Sequence, residues 1–177
     1  QRSISRSDSS TFTSRYQDRI RWWSRETGIP PLSGVIIALD VGAKTIGIAY
    51  TDESQSHVFV GETYWRQTEG YRKDLGYLRK LATDKCAVAF VLGMPIKEDG
   101  TDSSQTSRVR EFLEVMNNGI SLPIYCQNEY LSTFAAELKL EESGVPRHKW
   151  KETVDCLAAA EILNDYLTTR ELGVKKS

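Results

Sequence analysis

Three acids stand at places where this sequence could do chemistry: Asp40, Glu129 and Asp155. Asp40 ends the apolar run Val35–Leu39 and opens Asp40-Val-Gly-Ala-Lys-Thr-Ile-Gly47, whose glycines permit a sharp turn or a close approach of backbone to a ligand. Glu129 lies just past the stretch Leu122–Gln127, and ligands of open α/β sheets gather beyond the carboxyl ends of strands. Asp155 is followed at helical spacing by Ala158, Ala159, Ile162 and Tyr166, one apolar face. An acid on such a stripe is expected to be paired, metal-bound or protonated. Carboxylates at two strand ends and one helix start could together ring Mg²⁺ (or Mn²⁺), which keeps several waters and binds substrate phosphates. Two such ions, roughly 4 Å apart, activate a water and stabilise the leaving oxygen in phosphodiester hydrolysis. Each acid also has a plain reading. Asp40 could cap a tight turn, Glu129 could be a solvated loop carboxylate or a helix N-terminal acid, and Asp155 could bridge to Lys151.

The elements that must position these acids follow from periodicity. Val35–Asp40, Thr45–Thr51 and His57–Thr63 read as three strands joined by short turns. Tyr71, Leu75, Leu78 and Ala82 recur at helical spacing, and Ala87–Leu92 is the continuous apolar run of a strand buried on both faces. Beyond the polar loop Lys97–Ser104, Val109, Phe112, Leu113 and Met116 mark an amphipathic helix, and Leu122–Gln127 a fifth strand. Leu131–Glu142 and Trp150–Arg170 read as helices split by Gly144 and Pro146. The order βββαβαβαα predicts an α/β domain, a five-stranded mixed sheet with helices on both faces and Val35–Asp40 central beside Ala87–Leu92. The ribonuclease H fold has this order.

Composition narrows the function classes. The 177 residues suffice for one domain and a tail, here a Ser/Arg-rich extension over 1–33, a domain over 34–172 and a C-terminal tail over 173–177. No apolar run approaches a membrane span. Cys86, Cys126 and Cys156 form no CxxC, which argues against a zinc site or a disulfide framework and for small buried thiols in a reducing compartment. Residues 1–30 carry a net +3 and the remainder −4. Nucleic-acid contact must therefore be local or come from the basic segment. Lys44 and Lys97 are the expected local cations, with Thr101, Ser103 and Ser104 presenting backbone amides to phosphate at a helix start. Within residues 1–25, seven Ser and six Arg resemble the composition in and after an organellar transit peptide. Arg15, Arg19, Arg21 and Arg25 interleaved with Tyr16, Trp22 and Trp23 suit a partner-binding arm on RNA or a ribonucleoprotein. The competing reading lays Ile20, Trp22 and Trp23 over the chain's own apolar surface.

Four blocks between residue 35 and about residue 167 resemble, in order, the YqgF family, also called RuvX, whose members are described as Holliday junction resolvases. Val35-Ile-Ile-Ala-Leu-Asp-Val-Gly-Ala-Lys-Thr-Ile-Gly-Ile-Ala resembles its first two strands and the Asp-x-Gly turn. Val91-Leu-Gly-Met-Pro-Ile-Lys-Glu-Asp-Gly-Thr, Leu122-Pro-Ile-Tyr-Cys-Gln-Asn-Glu-Tyr-Leu-Ser-Thr and Val154-Asp-Cys-Leu-Ala-Ala-Ala resemble the next three blocks. The resemblance implies a ribonuclease-H-like fold, places Asp40, Glu129 and Asp155 on the family's candidate catalytic positions, and implies an RNA or DNA substrate. Bacterial members are linked to processing of the small-subunit ribosomal RNA precursor. Two positions depart from the pattern: Asn128-Glu129-Tyr130 stands for Asp-Glu-Arg, and Thr45 for a basic residue. With the basic segment, the resemblance implies an organellar, mitochondrial-matrix nuclease of structured RNA. Two alternatives accompany it: a catalytically weakened assembly component of an organellar ribosomal particle, bound through residues 1–33, and a Holliday junction resolvase.

Overall fold

A computed structural model describes residues 30–67, 70–97, 99–129 and 132–174. The basic segment, with its expected partner arm and mitochondrial signal, lies outside the described residues, as do Tyr130 and the side chain of Lys151.

Strand β1 (Val35–Val41) runs antiparallel to β2 (Thr45–Thr51), which pairs with the antiparallel edge strand β3 (Val58–Trp65). On its other side β1 pairs in parallel with β4 (Ala87–Met94), and β4 with β5 (Ile124–Asn128). The sheet order β3-β2-β1-β4-β5 sets β1 at the centre beside β4, as the two apolar runs predict. Helices α1 (Arg72–Asp84), α2 (Ser104–Gly119), α3 (Ser132–Ser143) and α4 (Trp150–Val174) complete the described fold, with a single 3₁₀ turn at Arg147–Lys149. None of them is long and apolar enough to cross a membrane.

The fifth strand begins two residues later than periodicity suggests. Pro123 has no N–H for a ladder, and its carbonyl instead accepts from the Phe90 amide. The amphipathic helix starts five residues before Val109 because Ser103 caps it: its hydroxyl accepts from the Thr106 amide, and Thr106 Oγ1 accepts from the Ser103 amide. The expectation of buried thiols holds for Cys126 and Cys156. Cys86 corrects it: it sits exposed in the turn before β4 with φ of 51°.

Strand alternation sorts the side chains onto two faces. Ile37, Leu39, Val41, Ile46, Ile48, Phe90, Leu92 and Met94 pack with Leu78, Val109, Phe112 and Met116 under α1 and α2. The opposite face is built from smaller residues: Ala38, Ala49 and Ala89 with Ile36, Val91 and Tyr125 lie against Ala159, Ala160, Ile162 and Leu163 of α4. Small residues on both sides bring α4 close to the strands. By parity Asp40 shares the face of Ile36 and Ala38, so the central strand delivers its carboxylate to the side that α4 covers.

Candidate active site

The row of residues at the carboxyl end of β1 shows how the site is made. Asp40 pairs across the ladder with Gly47 of β2, and Gly47 with Thr63 of β3. A methyl group on Gly47 would fall 2.0 Å from the carbonyl oxygen of Asp155. The absence of a side chain at Gly47 therefore lets the first turns of α4 settle on β2 and brings Asp155 to the end of β1. Thr45 Oγ1 donates to Asp155 Oδ2 at 2.5 Å, fixing that carboxylate over the β1–β2 turn. This hydroxyl is a partner of Asp155 among the described residues, and the alternative bridge to Lys151 lies outside them.

Glu129 arrives from the other side. Its amide donates to the carbonyl of Met94, so the β4–β5 pairing carries through to this residue. Its side chain turns in beneath Gly93, where a methyl group would stand 2.8 Å from Glu129 Oε2 and 2.4 Å from Ile162 Cδ1. Glu129 and Asp40 are hydrogen-bonded through their carboxyl groups. The reading of Glu129 as a solvated loop carboxylate is thus corrected: Oε2 is buried and has no hydrogen-bond partner among the described residues.

Burial and crowding change how these acids titrate. Loss of solvent is the main cause that pushes Glu129 up to about 9, reinforced by the Asp40 charge and their shared hydrogen bond. Burial also raises Asp40, to about 6, opposed by the bond from Glu129 and aided by the Asp155 charge. Two buried carboxyls this close favour one proton held between them over a doubly ionised pair.

Among the described residues no group of three or more His, Cys, Asp or Glu side chains is arranged as a metal cage. The donor set nonetheless fits a hard cation. It consists of carboxylate oxygens, and one of them, Glu129 Oε2, is buried and unsatisfied. Because burial favours the protonated carboxyls, binding of a cation there would release a proton.

The β1–β2 turn is held from below by Arg66, a residue that periodicity and motif do not single out. Its amide donates to Lys44 O at 2.8 Å, its Nη1 to Gly42 O at 2.8 Å and its Nε to the buried Asp74 at 2.9 Å. The expected cations Lys44 and Lys97 are both exposed. The expected amide cradle is only partly available, because the Thr101 amide is taken by Asp99 Oδ1 and the Ser103 amide by Thr106 Oγ1. Ser104 opens α2 as its first residue. Thr45, Gly47 and Gly93 also belong to the site without having been expected there. Strand parity could have found all three, since they share the face of Asp40.

A family model described as "RuvX: Holliday junction resolvase" matches residues 34–169. The chain belongs to the RuvX family. Among its RuvX relatives, a protein of Desulforamulus reducens named "Putative pre-16S rRNA nuclease" is 39% identical over 132 residues, covering 75% of this chain and 95% of that one. A protein of the same name from Syntrophomonas wolfei is 34% identical over 142 residues, covering 78% and 96%. The fold is also that of the yeast mitochondrial Holliday junction resolvase Ydc2, with a TM-score of 0.50 at 13% identity over 94% of this chain and 87% of that structure. The ribonuclease-H-like architecture and a nuclease-family membership therefore stand together.

Proposed function

We propose that this protein is a divalent-metal-dependent endonuclease of structured RNA, acting on the precursor of small-subunit ribosomal RNA. The observation that carries the reading is the buried carboxyl pair of Asp40 and Glu129 with the Asp155 charge beside it, an expensive arrangement for a fold to keep without use. The relatives' name supplies the substrate class. Asp40, Glu129 and Asp155 would hold Mg²⁺ (or Mn²⁺), which when bound supplies Lewis-acid activation of water and of the leaving oxygen. Thr45 orients the Asp155 carboxylate, and the lack of a side chain at Gly93 leaves room for the Glu129 carboxyl beside Ile162. Lys44 and Lys97, with the start of α2 at Ser104, would meet the phosphates of the incoming strand. The Arg/Ser-rich composition of residues 1–25 supports a mitochondrial location and contact with a ribosomal particle through residues 1–33.

Asn128, where the resemblance expects an acid, favours a second reading, in which the chain is an assembly component of that particle with weakened catalysis. One experiment separates them. The purified chain is incubated with a small-subunit precursor RNA, and with a four-way DNA junction, in Mg²⁺, Mn²⁺ or EDTA. Metal-dependent scission of the RNA, lost in Asp40→Asn and Asp155→Asn, is expected. RNA binding without scission in either metal gives the assembly reading, and cutting of the junction alone gives the resolvase.

A further inference from the structure

Edge strand β3 carries a feature that the acidic site does not use. Trp65 is 47% exposed at the end of the strand. It pairs across the ladder with Thr45, whose hydroxyl holds Asp155, so Trp65 stands one strand from that contact and two from Asp40. Beside it, a groove of about 300 Å³ runs between β3 and the first turns of α4, walled by Val60–Thr63 and Trp65 of the strand, Glu62 among them, and by Thr153 and Cys156 of the helix.

The chemistry of the walls says what fits. Among the described residues no Lys or Arg lines the groove and Glu62 does, a lining that does not favour phosphate. Its hydroxyls are already engaged: Thr63 Oγ1 with Cys156 Sγ at 3.0 Å, and Thr153 Oγ1 donating to Lys149 O at 3.0 Å. An occupant therefore finds an aromatic face and one carboxylate, Glu62, which repels phosphate and accepts from an N–H edge of the kind every nucleobase carries. A planar, uncharged ring meets those terms, and the bases of an RNA strand crossing the acids supply such rings.

We infer that Trp65 and the β3–α4 groove form a stacking subsite for one unpaired nucleobase flanking the scissile phosphate, tolerant of base identity. The inference rests on the nuclease reading for the course of the strand, and it narrows the substrate to RNA with an unpaired nucleotide beside the cut.

The test measures binding, not cleavage, on the full chain carrying Asp40→Asn. Fluorescein-labelled ten-nucleotide oligo(A) and oligo(U) RNAs serve as probes. Trp65→Ala and Trp65→Leu should each weaken both RNAs about tenfold, the loss of one base stack, with the salt slope unchanged because every phosphate interaction is kept. Trp65→Phe should bind within about threefold of its parent and lose part of the fluorescence quench that RNA causes in the parent. Leucine keeps apolar cover over the groove, so a loss seen with alanine but not with leucine is a folding effect and overturns the subsite. Undiminished binding in both variants, or an RNA-induced quench identical in parent and Trp65→Phe, also overturns it and leaves the groove to another occupant, such as Trp22 or Trp23 of this chain. Wild-type protein that never cuts RNA while Trp65→Leu still loses binding would sink the nuclease reading and keep the subsite.

Discussion

Gly47 lies against the backbone of Asp155 so closely that even one methyl group between them would sit 2.0 Å from the Asp155 carbonyl oxygen. The contact is backbone on strand, with no flexible side chain to yield. Gly47→Ala should therefore displace the start of α4, at a cost near the upper end of overpacking, about 3 kcal/mol. Thermal melts should show a drop of roughly 6–12 °C for a chain of this length. Gly76→Ala is the control. Nothing lies within 4 Å of its added methyl, and it sits inside α1, so its melt should rise by roughly 1–4 °C. Equal behaviour of the two variants would contradict the close approach.

The Asp40–Glu129 pair makes stability depend on pH in a definite direction. Both folded-state values lie above the ordinary ones, 3.8 to about 6 for Asp40 and 4.5 to about 9 for Glu129. The folded protein thus keeps protons that the unfolded chain has released, and stability falls as pH rises from about 4 to about 9. In EDTA, Glu129→Gln should flatten that decline and melt above wild type at pH 8, while abolishing any metal-dependent scission. A wild-type melting temperature that climbs between pH 5 and pH 8 faster than that of the variant would reverse the sign and remove the shared proton.

Arg66 and Asp74 form an ion pair with side chains only 11% and 1% exposed. Removing the cation strands a buried carboxylate, a loss of about 3–5 kcal/mol. Arg66→Met should lower the melting temperature by roughly 6–20 °C, and Arg66→Lys by an intermediate amount, because an ammonium cannot reach Asp74 and Gly42 O together. A double-mutant cycle with Asp74→Asn should recover part of the loss. Additive losses would mean that the pair is not coupled.

Lys44 and Lys97 are exposed cations on a domain whose residues beyond the basic segment are net acidic. If both meet phosphates, Lys44→Ala with Lys97→Ala should weaken RNA binding and flatten its dependence on salt by about 0.7 for each phosphate no longer neutralised on a single strand. Titrations across a range of KCl concentrations read both quantities. An unchanged slope would discard these lysines as phosphate ligands.

Much of this architecture is legible in the order of residues. The apolar runs Val35–Leu39 and Ala87–Leu92 sit at the sheet centre because a strand buried on both faces has to be apolar at every position. Asp40, Glu129 and Asp155 are marked by the same logic, the first two as acids that follow apolar strands and the third as an acid that opens an apolar helical face. The sequence could not show how the acids meet. That Glu129 turns inward under Gly93 and shares a proton with Asp40 depends on the parallel pairing of β4 with β5, residues more than thirty apart in the chain. That Thr45 holds Asp155 depends on a contact spanning 110 positions. Arg66 reads as one more polar residue near the end of an edge strand, and only the folded chain rests the turn after Asp40 on it. Local pattern determined which residues form strands and helices, because backbone periodicity and burial act over a few residues. Pairing and close packing decided which acids share a dielectric, a proton and a hydroxyl, because those energies depend on distances that only the closed sheet and its last helix define.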